Sequence, residues 1–448
     1  MEGCGQQASG ACMSLHKKRI VIVGGGAGGL VLASRLGRLA RRSAQLDITL
    51  VDASRSHIWK PLLHEIAAGS MNPHREALDY LAQAKRDGFR FYLGRMTGLN
   101  RQQQTIQLAA TADEQGRPLI PARTLHYDIL VMAIGSTTND FATPGVAEHA
   151  ICLNTPAEAS RFHQQLVNAC IRASLQNGPL RAGQLHVTII GAGATGVELA
   201  AELRNTTREL VAHGRENINP DRDIRLTLIE AGPRILPALP DSVAARAHRQ
   251  LENLQVEVLT GDRVSAVDAN AVHTASGRNI ASELVVWAAG VQAPAMLAGL
   301  DGLASNRLNQ LLVRPTLQTT LDDKIYALGD CAACPDGSGW VPPRAQAASQ
   351  QAELLYHNIR CQLAGKPLQD FRYRDLGSLI SLGRYSTVGS LMSSLSRRSL
   401  FVHGQFARLM YLSLYHRHQL TLFGWLPTVL TAAARLLQRR TQPLVKLH

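Results

Sequence analysis

One short pattern occurs twice in this chain and constrains its fold more than any other feature. Residues 18–36 read KRIVIVGGGAGGLVLASRL, an apolar strand running directly into glycines and then into a helix of small and apolar residues. Residues 185–203, LHVTIIGAGATGVELAAEL, repeat it. In each copy three glycines stand at G-x-G-x-x-G spacing: Gly24, Gly26 and Gly29, then Gly191, Gly193 and Gly196. The first glycine makes the tight turn, the second lets the backbone approach a pyrophosphate, and the third lets the helix pack closely on the strand. The helix N-terminus then faces phosphate charge. One such fingerprint is weak, because tight turns of this kind occur in other α/β folds. Two in one chain, each between a strand and a helix, predict two dinucleotide sites.

Each unit also has an acid at the end of its second strand. Asp47 to Val51 forms a strand ending at Asp52, 23 residues beyond Gly29, close to the usual spacing for a carboxylate that binds adenosine-ribose hydroxyls. In the second unit the acid is Glu230, 34 residues beyond Gly196; the polar stretch 213–223 accounts for the excess as an extended helix end and loop. Three more segments, 127–136, 283–290 and 326–332, are apolar strands ending in small residues or in glycine and aspartate. Open α/β sheets bind ligands beyond the carboxyl ends of their strands, so Ala133 and Gly135, Ala289 and Gly290, and Gly329 and Asp330 join the candidates. With 448 residues, 45% of them hydrophobic, the chain holds two or three domains of the α/β class.

The formal charge of +13 is unevenly spread. From Phe371 onward there are eleven basic residues and one acid, Asp375, so the last 78 residues carry +10 and the first 370 only +3. In that region apolar stretches alternate with arginine, as in 400–420 and 421–440, the composition of helices lying in a membrane interface. The uncharged run 419–434 has 16 residues and includes Gly424 and Pro427, too short to span a bilayer, for which roughly twenty are needed. The expected partner is an anionic lipid surface and not nucleic acid, whose phosphates do not require so much interleaved Leu, Phe and Trp. A dimerisation surface is compatible with the same composition. Residues 1–16 lack a long apolar run and are expected to be disordered.

Seven scattered cysteines exclude a secreted disulfide framework, and no His/Cys/Asp cluster has ligand spacing, so no metal is expected. Cys331 and Cys334 form C-x-x-C, which invites a redox-active disulfide. Disulfide reductases of similar two-unit pattern place their reactive pair just after the first strand-end acid or within the second unit, where this chain has no close cysteine pair, so these are read as structural or incidental thiols. His57 and His64 are read as packing or hydrogen-bonding residues.

Beyond these patterns, the chain resembles the two-dinucleotide flavoproteins of the glutathione-reductase type, and among them the bacterial type II NADH dehydrogenases, respiratory NADH:quinone oxidoreductases. The segments that carry the resemblance are 57–70 (HIWKPLLHEIAAGS), 131–146, 193–203, 230–240, 307–320, 326–335 and 341–351 (VPPRAQAASQQ). It implies a discontinuous FAD domain over about 17–150 and 295–370, an NADH domain over 151–294, and a C-terminal membrane-surface region over 371–448. FAD would be held non-covalently, with Gly329 and Asp330 at its ribityl chain. NADH would be a substrate and a membrane quinone the acceptor. The enzyme would sit peripherally on the cytoplasmic face of the bacterial inner membrane, in a family whose members are often dimers.

The resemblance also supplies catalytic candidates. Gln346, Gln350 and Gln351 would lie beside the flavin and the quinone pocket, although glutamines are equally the polar face of an ordinary helix. Glu198 would relay protons to the reduced quinone; acids are also favourable in a first helical turn, by about 0.3–1 kcal/mol. Lys60 would lie along the isoalloxazine, where a cation favours reduced flavin, or would be a surface lysine. Two rivals remain: a sulfide:quinone oxidoreductase, which needs reactive cysteines and no NADH site, and a non-catalytic NADH-sensing flavoprotein.

Overall fold

The computed structural model describes residues 17–43, 45–113, 115–212, 217–382, 387–392, 399–403 and 419–438. The expected disordered N-terminus, 1–16, lies outside them.

The two glycine-turn strands are the centres of two sheets. In the first, six strands run in the order Gln318–Thr319, Asp322–Ala327, Ile129–Met132, Lys18–Val23, Leu46–Asp52 and Arg90–Leu93. All neighbours are parallel except the first pair. In the second, five parallel strands run in the order Ile151–Cys152, Leu284–Trp287, His186–Ile190, Arg225–Glu230 and Val256–Thr260. Strands such as IVIV, ILVM and HVTII are buried throughout, as parallel strands covered on both faces must be. Both sheets place the glycine-turn strand between the acid-ended strand and a strand ending in small residues, so the corresponding candidates converge at the same carboxyl edge.

Two short strands, Thr137–Thr138 and Val291–Gln292, pair antiparallel where the chain passes between the sheets. The helix Leu63–Ala68 packs against the helices Pro156–Leu175 and Ala194–Ala212. Its Leu63, Ile66, Ala67 and Ala68 belong to the core of the second sheet although the sequence reading puts 63–68 in the first unit. The seam between the sheets is therefore an apolar interface. Arg204, fully buried, donates to the carbonyls of Pro220 and Ile224 and so fastens the loop that lengthens the second unit ahead of Glu230.

The C-terminal region is tied to this body. Ser378–Ser381, Thr387–Met392 and Ser399–His403 form an antiparallel meander. The sequence reading gives interfacial helix over 400–420, whereas its first four residues belong to the strand Ser399–His403, which pairs with Thr387–Met392. Residues 404–418 lie outside the described set. Leu422 is buried in the core of the first sheet, where Arg38 donates to Thr421 O (3.2 Å), Arg86 to Leu422 O (2.6 Å), and the Arg86 guanidinium covers the Phe423 ring at 4.5 Å. Beyond it the helix Trp425–Gln438 exposes Trp425, Leu426, Val429 and Leu430 on one side. No helix among the described residues is long and apolar enough to cross a membrane.

Candidate active site

At the first glycine turn Gly24 has φ +103°, left-handed backbone that a side chain would strain, and a Cβ there would collide with the carbonyl of Ala133. A Cβ on Gly29 would collide with Gly24 O, whereas one on Gly26 would meet no heavy atom within 4 Å. The three glycines thus divide into two that close the turn and one beside open space. Asp52 holds the turn from the neighbouring strand: its Oδ2 accepts the Gly25 N–H at 2.7 Å and its Oδ1 accepts the Ser54 N–H at 2.7 Å. Burial raises the Asp52 pKa, and these backbone bonds oppose the shift. The Tyr80 hydroxyl also meets the carboxylate, which with four lone pairs still has acceptor capacity for a ribose hydroxyl. On the other side of the turn the Gly25 carbonyl accepts from Tyr80 O–H (2.8 Å) and from His57 Nδ1 (2.9 Å). Burial lowers the His57 pKa to about 4, so the ring is neutral and carries its proton on Nδ1.

The second turn repeats the arrangement. Gly191 has φ +99° and abuts Ala289, a Cβ on Gly196 would collide with Gly191 O, and Gly193 faces open space. Glu230 Oε2 accepts the Ala192 N–H at 2.8 Å and its Oε1 accepts the Gly232 N–H at 2.8 Å. At the neighbouring strand end Gly290 takes φ +68°. Both turns have the features a pyrophosphate requires: main chain accessible at the second glycine, a helix start behind it and an acid at the adjacent strand end.

A polar cluster lies where the first sheet meets the seam. Lys60 Nζ donates to Ser136 O at 2.9 Å, Ser136 Oγ donates to Asp330 Oδ2 at 2.7 Å, and Gln310 donates to Asp330 O at 2.9 Å. Solvent reaches Lys60, yet the walls of its cleft lower its pKa by desolvation, opposed by Asp330, Glu158 and Asp52. Gly135 and Gly329 take φ of +71° each and turn the chain at the two strand ends.

Glu198 stands across the seam. It is the fifth residue of the helix Ala194–Ala212, and no acid occupies that helix's first turn, so the helix dipole does not explain it. The side chain is buried. Its Oε1 accepts the Ser381 N–H at 3.0 Å and its Oε2 lies 3.6 Å from His64 Nδ1. Burial raises the Glu198 pKa to about 8; the Ser381 bond opposes this, and Glu65 and Glu202 add to it. Burial pushes His64 down to about 4. The contact therefore joins a protonated acid to a neutral imidazole and is not an ion pair at neutral pH, despite its salt-bridge distance.

Residues 18–352 match the pyridine nucleotide-disulphide oxidoreductase family. The chain is 41% identical over 444 residues to a type II NADH:quinone oxidoreductase of Haemophilus influenzae, covering 96% of this chain and 100% of that one. This chain belongs to the type II NADH:quinone oxidoreductases. A demethylphylloquinone reductase of Synechocystis is 30% identical, with 92% and 97% covered. The structure of NDH2 from Plasmodium falciparum with NADH shares the fold at a TM-score of 0.77 and 19% identity, over 91% and 97% of the two chains. The sulfide:quinone oxidoreductase of Aquifex aeolicus shares it at 0.68 and 17%, over 91% and 92%.

Within this family member the three candidate glutamines have different surroundings. Gln351, almost fully buried, accepts the Gly329 N–H at 2.7 Å and so sets the turn that carries Asp330. Gln350 donates to Arg374 O (2.8 Å) and accepts its N–H (3.1 Å). Gln346 donates to Asp375 Oδ1 (3.3 Å) and Gly377 O (3.2 Å) and accepts the Leu376 N–H (3.2 Å). These two hold residues 374–377 against the helix Ala345–Leu363, and that strap leads directly to Ser381 on Glu198. Burial raises Cys331 to about 11 and Cys334 to about 12, unreactive values for thiols. Ser136 and Tyr80 escaped the sequence reading; no motif marks them, since their roles arise from contacts 194 and 55 residues away.

Proposed function

We propose that the chain oxidises NADH and reduces a membrane quinone, NADH + H⁺ + Q giving NAD⁺ + QH₂, as a peripheral enzyme on the cytoplasmic face of the bacterial inner membrane. The observation that carries this reading is the doubled turn-and-acid geometry, Asp52 on Gly25 and Glu230 on Ala192. FAD supplies the redox chemistry when bound. For the FAD, Gly24, Gly26 and Gly29 take the pyrophosphate, Asp52 the ribose, and Ala133, Gly135, Gly329 and Asp330 line the remainder, with Asp330 oriented by Ser136 and Gln351. Lys60 brings a cation to the same cleft. For NADH, Gly191, Gly193, Gly196 and Glu230 take the adenosine diphosphate half, and Ala289 and Gly290 the nicotinamide end.

Glu198 is the proton source. With a pKa of about 8 it holds a proton at neutral pH. Its Ser381 bond occupies Oε1 and leaves Oε2 to carry that proton. A carboxylic acid so poised gives its proton to a quinone oxygen as charge develops and regains one from solvent. Gln346 and Gln350 act through the strap that ends at Ser381. The exposed Trp425, Leu426, Val429 and Leu430 rest on anionic lipid, a partner that suits the +10 charge of the last 78 residues. The family resemblance extends this to a second copy of the chain as partner.

Turnover of FAD-loaded protein tests the function. NADH should reduce a water-soluble quinone and sulfide should not. Quinone reduction by sulfide, or none with NADH, would contradict the reading.

A further inference from the structure

In a parallel sheet of this order a dinucleotide lies across the carboxyl edge, its adenosine toward the acid-ended strand and its other half beyond the strand on the opposite side of the turn. In the second sheet that other strand is Leu284–Trp287, and its continuation Ala288–Gly290 is the surface the nicotinamide half meets. Two aromatic side chains lie against it: the indole of Trp287, which is buried, and the ring of Phe141, which is not. Phe141 comes from the loop that follows Thr137–Thr138, and a Cβ on Gly290 would lie 2.5 Å from its Cζ, so the ring edge occupies the space a side chain at 290 would fill.

Three observations separate this ring from an ordinary packing residue. It is 62% exposed, although the neighbouring Trp287 is buried in an apolar cluster. Its backbone is left-handed, φ 52°, and so is that of Ala142, φ 53°, a conformation bulky residues rarely adopt and one that concentrates at functional sites. The conformation is also held firmly. Asn139 Oδ1 accepts the Phe141 N–H and Asp140 Oδ1 accepts the Ala142 N–H, each at 2.9 Å. Trp287 Nε1 lies 2.9 Å from Asn139 O and 3.0 Å from Ala289 O, and the Asn139 N–H donates to Gly290 O at 3.2 Å. The loop is thus fastened to the very strand end it overlies, with its aromatic ring left to solvent.

We infer that Phe141 is a further substrate-binding residue, the aromatic wall against which the nicotinamide half of NADH packs. A rigid, pre-positioned ring adds contact area without ordering a mobile side chain on binding. The inference rests on reading Ala289 and Gly290 as the nicotinamide end of the NADH site.

NAD⁺ and ADP-ribose, which lacks nicotinamide, separate the possibilities when titrated calorimetrically into FAD-loaded full-length protein. Phe141→Ala should weaken NAD⁺ about tenfold and leave ADP-ribose within about twofold of the parent; Phe141→Leu, which keeps most of the volume without the π-face, should lie between. Equal weakening of both ligands, or of neither, would overturn the inference, the first because the ring would then act only by holding the fold. Parent protein whose NAD⁺ affinity does not change on Gly193→Val would overturn the reading of the second dinucleotide site, and the inference with it.

Discussion

Glu198 Oε2 lies 3.6 Å from His64 Nδ1 across the seam between the two sheets, and at neutral pH the pair is uncharged. Desolvation acts oppositely on an acid and a base, so burial leaves the carboxyl protonated and the imidazole neutral.

The pair gives stability a pH dependence of known sign. Glu198 titrates near the ordinary carboxyl value of 4.5 when unfolded and at about 8 when folded, so between these the folded state holds the extra proton and stability falls as pH rises. His57 and His64 titrate near 6.5 unfolded and about 4 folded, so their contribution is lost as pH falls from 6.5 toward 4. Stability should peak near about pH 6.5. Glu198→Gln should flatten the alkaline limb, with a gain on the order of a few kcal/mol at pH 8. Thermal melts of both proteins across pH check this. In single-turnover mixing the same variant should reduce its flavin normally with NADH and pass electrons to quinone slowly; a defect confined to the NADH step would contradict the proton role.

Glu230→Gln should raise KM for NADH about tenfold and narrow the preference over NADPH. An amide has one acceptor where Glu230 uses two, so either the Ala192 or the Gly232 N–H is left facing an NH₂ group, at about 1–3 kcal/mol. Steady-state kinetics with both nucleotides provides the check, and an unchanged KM would show that another residue reads the ribose.

Gln351→Ala and Ser136→Ala should each lower FAD occupancy, the first by leaving the Gly329 N–H without its partner and the second by freeing Asp330 Oδ2. The loss of a buried backbone partner costs about 1–3 kcal/mol, roughly tenfold in affinity. Flavin-to-protein absorbance ratios after dialysis measure it.

What the sequence revealed and what it concealed follow the range of the interactions. The glycine turns and their acids were legible because a strand, a tight turn and a helix start are local, and Asp52 and Glu230 stand at strand ends that alternate predictably with helices. Gln346, Gln350 and Gln351 were legible as a cluster only through family resemblance, and their separate hydrogen bonds were not, because each partner belongs to a segment 22 to 31 residues away. The tail's charge marked it as distinct, but its composition could not distinguish an interfacial helix from the meander, since Leu, Phe and Val serve both. Nor could it show that Leu422 returns to the first core.

That return separates two functions of the tail. Leu422→Ala should lower stability by about 2–5 kcal/mol, the cost of a cavity in a core, and leave binding to anionic vesicles intact. Replacing the exposed Leu426 and Val429 by glutamate should do the reverse, because exposed positions contribute little to folding. Melting and vesicle sedimentation of the two variants check the assignment, and equal loss of both properties in each would contradict it.

The most direct test of the whole account is an anaerobic titration of the FAD-loaded protein, followed by the flavin absorption band. Stoichiometric NADH should bleach the band, and stoichiometric quinone added afterwards should restore it with formation of quinol. A band that NADH leaves unchanged, or that stays bleached when quinone is added, would contradict the claim that these two dinucleotide sites serve one electron path from NADH to quinone.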